Sequence, residues 1–341
     1  MTRIRDLASI LTASSSMATD TEVSAVSAQI PANVAGKNFL INGLFDFWQR
    51  TTDVTSSAVS GTFYAAADRW QTWNGVAVST RYQRIADGDP GVSQYSYRIQ
   101  RVSGSTTATN YQIIQNIETS TSKLLVGKTM TLSFRVKKGA NFSPTSGTMN
   151  AKVQYNNNTD GNAINQLTST AFTGTFSPTT SFATYSLTGT IPSSGVSSVM
   201  VNLTWEPTGT AGADDWLEIS AVQLEVGSVA TPFSRAGGTL QGELAACQRY
   251  YQIAGDTIYE IMDGGYMATG NVTYKSWIYA VPMRTTPTGT VVGSWAISGI
   301  GQPTLQATQQ RGFTLRATSS TTGAYYFHSN TAYYLTFSAE F

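Results

Sequence analysis

The sequence predicts an all-β protein: an antiparallel β-sandwich, then a smaller C-terminal β-sandwich, with a short, partly helical N-terminal arm. Three observations predict it. Apolar residues recur with period two through most of the chain, as half-buried strands require. Clusters of Gly, Pro, Asn and Asp break those runs at intervals, and no long helical pattern alternates with them, which argues against a parallel α/β fold. The composition also suits strands. Of 341 residues 12% are charged, about half the usual share, while 30 are Gly, 17 Tyr, 14 Phe and 7 Trp.

The balance of 21 Lys+Arg against 20 Asp+Glu is close to neutral, so the chain lacks the basic footprint of a nucleic-acid-binding protein. Its 41% hydrophobic residues supply a core and exclude a disordered chain. No run approaches the roughly 18 apolar residues of a membrane span. The N-terminus is charged, but hydroxyls interrupt its apolar stretch, so no signal peptide is expected. Cys247 is the one cysteine and His328 the one histidine. That excludes an intrachain disulfide and a four-ligand His/Cys zinc site.

Residues 1–36 form the arm. Ile4, Leu7, Ile10 and Leu11 fall at helical spacing, a small polar stretch follows, and PANVAG at 31–36 reads as a linker. Alone the arm buries no core, so it is expected to attach to a partner chain. Residues 37–237 form the sandwich. Tyr95, Tyr97 and Ile99 alternate with polar residues, as do Met130, Leu132, Phe134 and Val136, and Val199, Val201, Leu203 and Trp205. Turn clusters at 87–91, 156–161, 192–195 and 208–212 divide this region into about ten strands. In LEISAVQLEV at 217–226 the apolar phase is odd up to Ala221 and even afterwards, which predicts a β-bulge at 220–221; a turn there is the alternative.

Residues 238–341 form the C-terminal β-domain. It opens with a helix capped by Thr239, whose stripe is Leu240, Leu244, Cys247 and Tyr251. Glu243 stands one place beyond the capping-box position. Strands are then expected at 257–262, 265–274, 275–281, 289–297, 304–318 and 324–341.

Several blocks resemble a known family. NFLINGLFDFWQR at 38–50, then ADRW at 67–70, look like the opening of bacteriophage tail-fibre and related virion proteins. AVQLEVGSVATPF at 221–233 and ELAACQRYY at 243–251 resemble the junction of that family, and VPMRTTP at 281–287 with SAEF at 338–341 its C-terminal domain. The first domain is also similar, more loosely, to carbohydrate-binding jelly rolls, through 131–136 and the acidic strand start at 214–216. The resemblance implies a virion protein, assembled in the host cytoplasm as a homotrimer, with other phage tail or capsid proteins and a host-surface glycan as partners.

The residues themselves offer little for catalysis. His328 is the only imidazole base, and its surroundings read as a polar surface or interface position. Glu206, Asp214, Asp215 and Glu218 are the best carboxylate cluster for glycoside hydrolysis; turn capping by 214–215, with Glu218 on the solvent face of its strand, is the favoured explanation of them. Asp87 and Asp89 offer oxygens for a structural Ca²⁺, as do residues 158–162, although turn formation accounts for both. No other cofactor is expected. Sugar C–H faces stack on Trp and Tyr, and the aromatics beside turns are Trp73, Tyr325 and Tyr326, with His328 near the last two; these are the candidate glycan contacts. Trp48, Trp205 and Trp277 stand in apolar runs and read as core. The expected function is a non-enzymatic tail fibre. A capsid-bound fibre, decoration protein or tail adaptor is the alternative, and a polysaccharide depolymerase the third reading.

Overall fold

The computed structural model describes residues 35–56, 64, 66–162 and 168–341. The arm positions Ile4, Leu7, Ile10 and Leu11 lie outside them.

Eleven strands come first among the described residues: β1 (Asp53–Ser56), β2 (Gln71–Asn74), β3 (Thr80–Asp89), β4 (Ser93–Arg101), β5 (Tyr111–Ile117), β6 (Thr129–Lys138), β7 (Met149–Asn156), β8 (Ser169–Phe176), β9 (Ala183–Thr190), β10 (Ser198–Trp205) and β11 (Trp216–Val226). A single-turn helix, α1 (Thr119–Ser122), links β5 to β6. They pair antiparallel into a six-stranded sheet, β1-β3-β4-β11-β6-β9, and a five-stranded sheet, β2-β5-β10-β7-β8. The two sheets close over one core. Tyr97 and Ile99, Met130 to Val136 at alternate positions, and Val199, Val201 and Leu203 all enter it, so the period-two reading finds the correct face of each strand.

The bulge forms where the apolar phase slips. Ser220 pairs with Arg135 but Gln223 with Ser133, so two residues of β11 oppose one of β6. Ala221 takes a positive φ of 50° to allow it. The chain at 38–45 then supplies bonds that the ladder has lost. Val222 N–H donates to the Gly43 carbonyl (3.0 Å), and Asn38 Nδ2 donates to the Val222 carbonyl (3.1 Å). A Cβ at Gly43 would collide with the Val222 carbonyl oxygen. The block at 38–50 is therefore a clamp on the bulge.

α2 (Leu240–Gln248) begins as expected, with Thr239 Oγ1 accepting from Gly242 N–H at 3.0 Å. Of the expected stripe Cys247 and Tyr251 are buried and Leu244 is half-buried, but Leu240 is half exposed and Glu243 is buried in addition. Glu243 faces inward because its carboxylate accepts from the backbone N–H groups of Asn42 and Gly237, tying helix, junction and opening block together.

Nine strands follow: β12 (Tyr251–Ala254), β13 (Met262–Met267), β14 (Val272–Ile278), β15 (Thr288–Val292), β16 (Ala296–Ser298), β17 (Thr304–Gln309), β18 (Gly312–Thr318), β19 (Gly323–His328) and β20 (Tyr334–Ser338). They make three antiparallel three-stranded sheets, β12-β20-β15, β13-β19-β16 and β14-β18-β17. Phe313, Leu315, Phe327, Leu335 and Phe337 from these sheets share one core. Several expected strand bounds need correction: β14 runs through the break expected at 274–275, and turns or loops divide 289–297 after Val292, 304–318 at 310–311 and 324–341 after His328. Residues 257–262 are mostly loop, with a strand beginning only at Met262, and the run 265–274 is broken by a turn around Gly270, whose φ is +85°.

A dense polar joint connects the two cores. The Arg69 guanidinium lies 3.4 Å from the Tyr250 ring centroid and donates to Glu340 and, at 2.9 Å, to the Asn116 carbonyl. Arg50 sits over Tyr251 at 3.7 Å. Arg284 pairs with Asp160 at 2.6 Å. Burial pushes the Asp68 carboxyl up to about 6, although Arg50 and the bonds from Gln49 oppose the shift.

Candidate functional site

Two of the four carboxylates proposed for hydrolysis turn out to be structural. Asp215 is buried, pairs with Arg101 at 2.9 Å and accepts from Ser143. Arg101 in turn donates to the carbonyls of Ser105, Thr107 and Gly209. Glu218 is not on an open solvent face. It lies on the outward side of β11, but Arg98 and Lys137 from the flanking strands cover it completely, with Ser96 donating as well. Arg98 is itself stacked on Trp216, 4.2 Å from the ring. Asp214 and Glu206 are exposed, and the Asp214 carboxylate accepts from Trp216 Nε1 (3.3 Å).

At the calcium candidate, Asp89 is buried and its carboxylate is held by Arg135 from β6, so the cation beside it is a guanidinium. Asp87 lies on the same strand, with its side chain outside what is described. Among the described residues no group of three or more His, Cys, Asp or Glu side chains is arranged to hold a metal.

Trp73 is half-buried on the outward face of the five-stranded sheet. It heads a cross-strand row that continues through Gln112, Thr204, Asn150 and Thr175. In the next row Asn202 Nδ2 donates to the Gln112 and Gln154 side chains at 2.6 and 3.1 Å. This face is uncharged apart from Lys152 and rich in amides.

The remaining candidates come from β19, and the strand separates them. Tyr325 faces the core, 9% exposed, and its hydroxyl donates to Asp263 at 3.0 Å, so it is not a surface contact. Tyr326 and His328 face outward together. Their rings stack at 6.0 Å and 19°, and Tyr259 also packs on His328, tilted at 55° with the ring centroids 4.4 Å apart. Tyr326 is 49% exposed. Its cross-strand partners are Gly264 on β13, which has no side chain to cover it, and Ser298 on β16. With Met262 and Phe327 these rings line an open hollow of about 250 Å³. Tyr259 and Met262 are not among the sequence candidates because the pattern at 257–262 predicts a strand; the adjacent Gly255 and Asp256 are the turn signal that points to a loop instead.

No protein-family model matches the chain, and no curated protein does. Among solved structures it is similar to a protein described by "CBM4 structure and function", with 19% identity over 55% of this chain and 98% of that one, TM-score 0.32. It is similar to the enzymatically active domain of tailspike protein 4 from bacteriophage CBA120, with 15% identity over 56% of this chain and 21% of that one, TM-score 0.33. It is also similar to TmCBM61 in complex with β-1,4-galactotriose, with 12% identity over 56% and 99% of the two chains, TM-score 0.31.

Proposed function

We propose that this protein is a structural subunit of a bacteriophage virion, a tail fibre that attaches by its N-terminal arm and touches host-surface glycan with its C-terminal part, without catalysis. One observation carries the glycan reading: the outward stack of Tyr326, His328 and Tyr259 beside a hollow. Rigid rings on a strand offer flat apolar area at low entropic cost, and the C–H face of a pyranose fits such a surface. The virion reading is supported by the phage-like blocks at 38–50, 67–70, 221–233, 243–251, 281–287 and 338–341. The non-catalytic reading is supported by the ion pairs that close off Asp215 and Glu218. In a homotrimer, three such weak contacts act together and raise avidity without any new contact.

The test is an array of bacterial O-antigen and capsular oligosaccharides probed with the protein and with Tyr326→Ala. The wild type binds a subset, and the variant binds it about tenfold more weakly, the scale of one lost stacking contact. A wild type that binds nothing, or release of new reducing ends from a bound glycan, overturns the reading. Antibody labelling of whole particles tests the tail assignment, and label on the head would favour a decoration or capsid-fibre role.

A further inference from the structure

A second hollow, of about 370 Å³, lies across the chain segment 259–262 from the first. The segment is a ridge between them: Tyr259 and Met262 line the first hollow, Glu260 and Ile261 the second. Trp277, Ile278 and Tyr279 from the end of β14 and the residue after it form another wall, and Gln248 from the end of α2 contributes an amide. Trp277, expected in the core, is only half-buried, with its ring stacked on Phe313 at 5.6 Å and 18°. Ile278 is 88% exposed. The buried Tyr279 hydroxyl has no hydrogen-bond partner among the described residues.

We propose that this second hollow is a sugar subsite, and that the receptor is an oligosaccharide long enough to cross the 259–262 ridge and fill both hollows. The proposal rests on the glycan reading above and names its ligand more closely. Trp277 and Ile278 provide the apolar wall that a pyranose ring needs, while the Glu260 carboxylate accepts from its hydroxyls and Gln248 both donates and accepts. Glu260 already accepts from Thr257 Oγ1 at 3.2 Å, and Asp256 stands close enough for its carboxyl to be raised by burial and by the neighbouring Glu260. That rim is negative. It selects neutral or amino sugars and repels uronic and sialic acids.

The experiment titrates the wild type, Tyr326→Ala, Glu260→Gln and Trp277→Phe with the array oligosaccharides that bind, each as a graded series from monosaccharide to hexasaccharide. Affinity for the wild type rises at least about tenfold along the series. Glu260→Gln and Trp277→Phe remove that gain while leaving the shortest binder unchanged. Equal thermal midpoints for wild type and Glu260→Gln show that the variant is folded. Affinity independent of length, unchanged binding by both variants, or preferred binding of acidic sugars overturns the subsite. If Tyr326→Ala weakens binding but the Glu260 and Trp277 variants do not, the subsite fails alone; if the wild type binds no oligosaccharide, the glycan reading fails and the subsite with it.

Discussion

The two halves of the molecule use their chemically capable side chains in opposite ways. In the first sandwich Asp89, Asp215 and Glu218 lie buried, each closed off by an arginine: Arg101 and Arg98 from β4, beside β11, and Arg135 from β6, which does not pair with the β3 strand that carries Asp89. In the C-terminal part the polarity is reversed: Tyr266, Tyr274, Tyr326 and Ile278 stand outside, while charged groups are sparse. The carboxylates look like chemistry in the sequence and serve as cross-strand fasteners. The aromatics look like core, and a fraction of them is surface. Residue type does not tell the two uses apart; the partner that the fold brings to each side chain does.

Breaking a fastener gives the largest effect. Arg101→Ala leaves Asp215 buried and unpaired and lowers stability by about 3–5 kcal/mol, read by urea unfolding. A loss under about 1 kcal/mol would return Asp215 to the list of free carboxylates. Next comes acidity at the joint. The Asp68 carboxyl is held at about 6 in the fold against an ordinary 3.8. A raised carboxyl holds its proton more tightly folded than unfolded, so stability rises as pH falls through 6 and levels off below 3.8. The gain is roughly 2–3 kcal/mol at most, checked by unfolding at stepped pH, and Asp68→Asn flattens it. Ala221→Gly relieves a left-handed alanine at the bulge and raises stability by no more than about 1 kcal/mol, read by calorimetry. Smallest is Tyr326→Ala, which alters stability by under about 0.5 kcal/mol while weakening glycan binding; a large stability loss would make Tyr326 a packing residue.

Much of this was legible in the sequence because strand periodicity reports one face at a time. The alternation at 130–136 names its core residues, the phase slip at Ala221 names the bulge, and Thr239 names the helix start. Glu243 was not legible, because its burial depends on backbone N–H groups contributed by residues 42 and 237. Glu218 was read correctly as outward-facing, yet its cover comes from strands over 80 residues away. At the candidate site, strand parity would have separated Tyr325 from Tyr326, but Tyr259 reaches His328 only through a loop conformation that includes its own positive φ of 64°.

The position of β11 has a consequence in time. It is the last strand of its sheet to be synthesised and lies at the centre, between β4 and β6. Until residue 226 has left the ribosome, both of those strands present an unpaired edge, and the sheet exists as two separate halves. Nascent chains at that stage are open to strand exchange with their neighbours. The order of synthesis thus leaves two open edges until this central strand emerges.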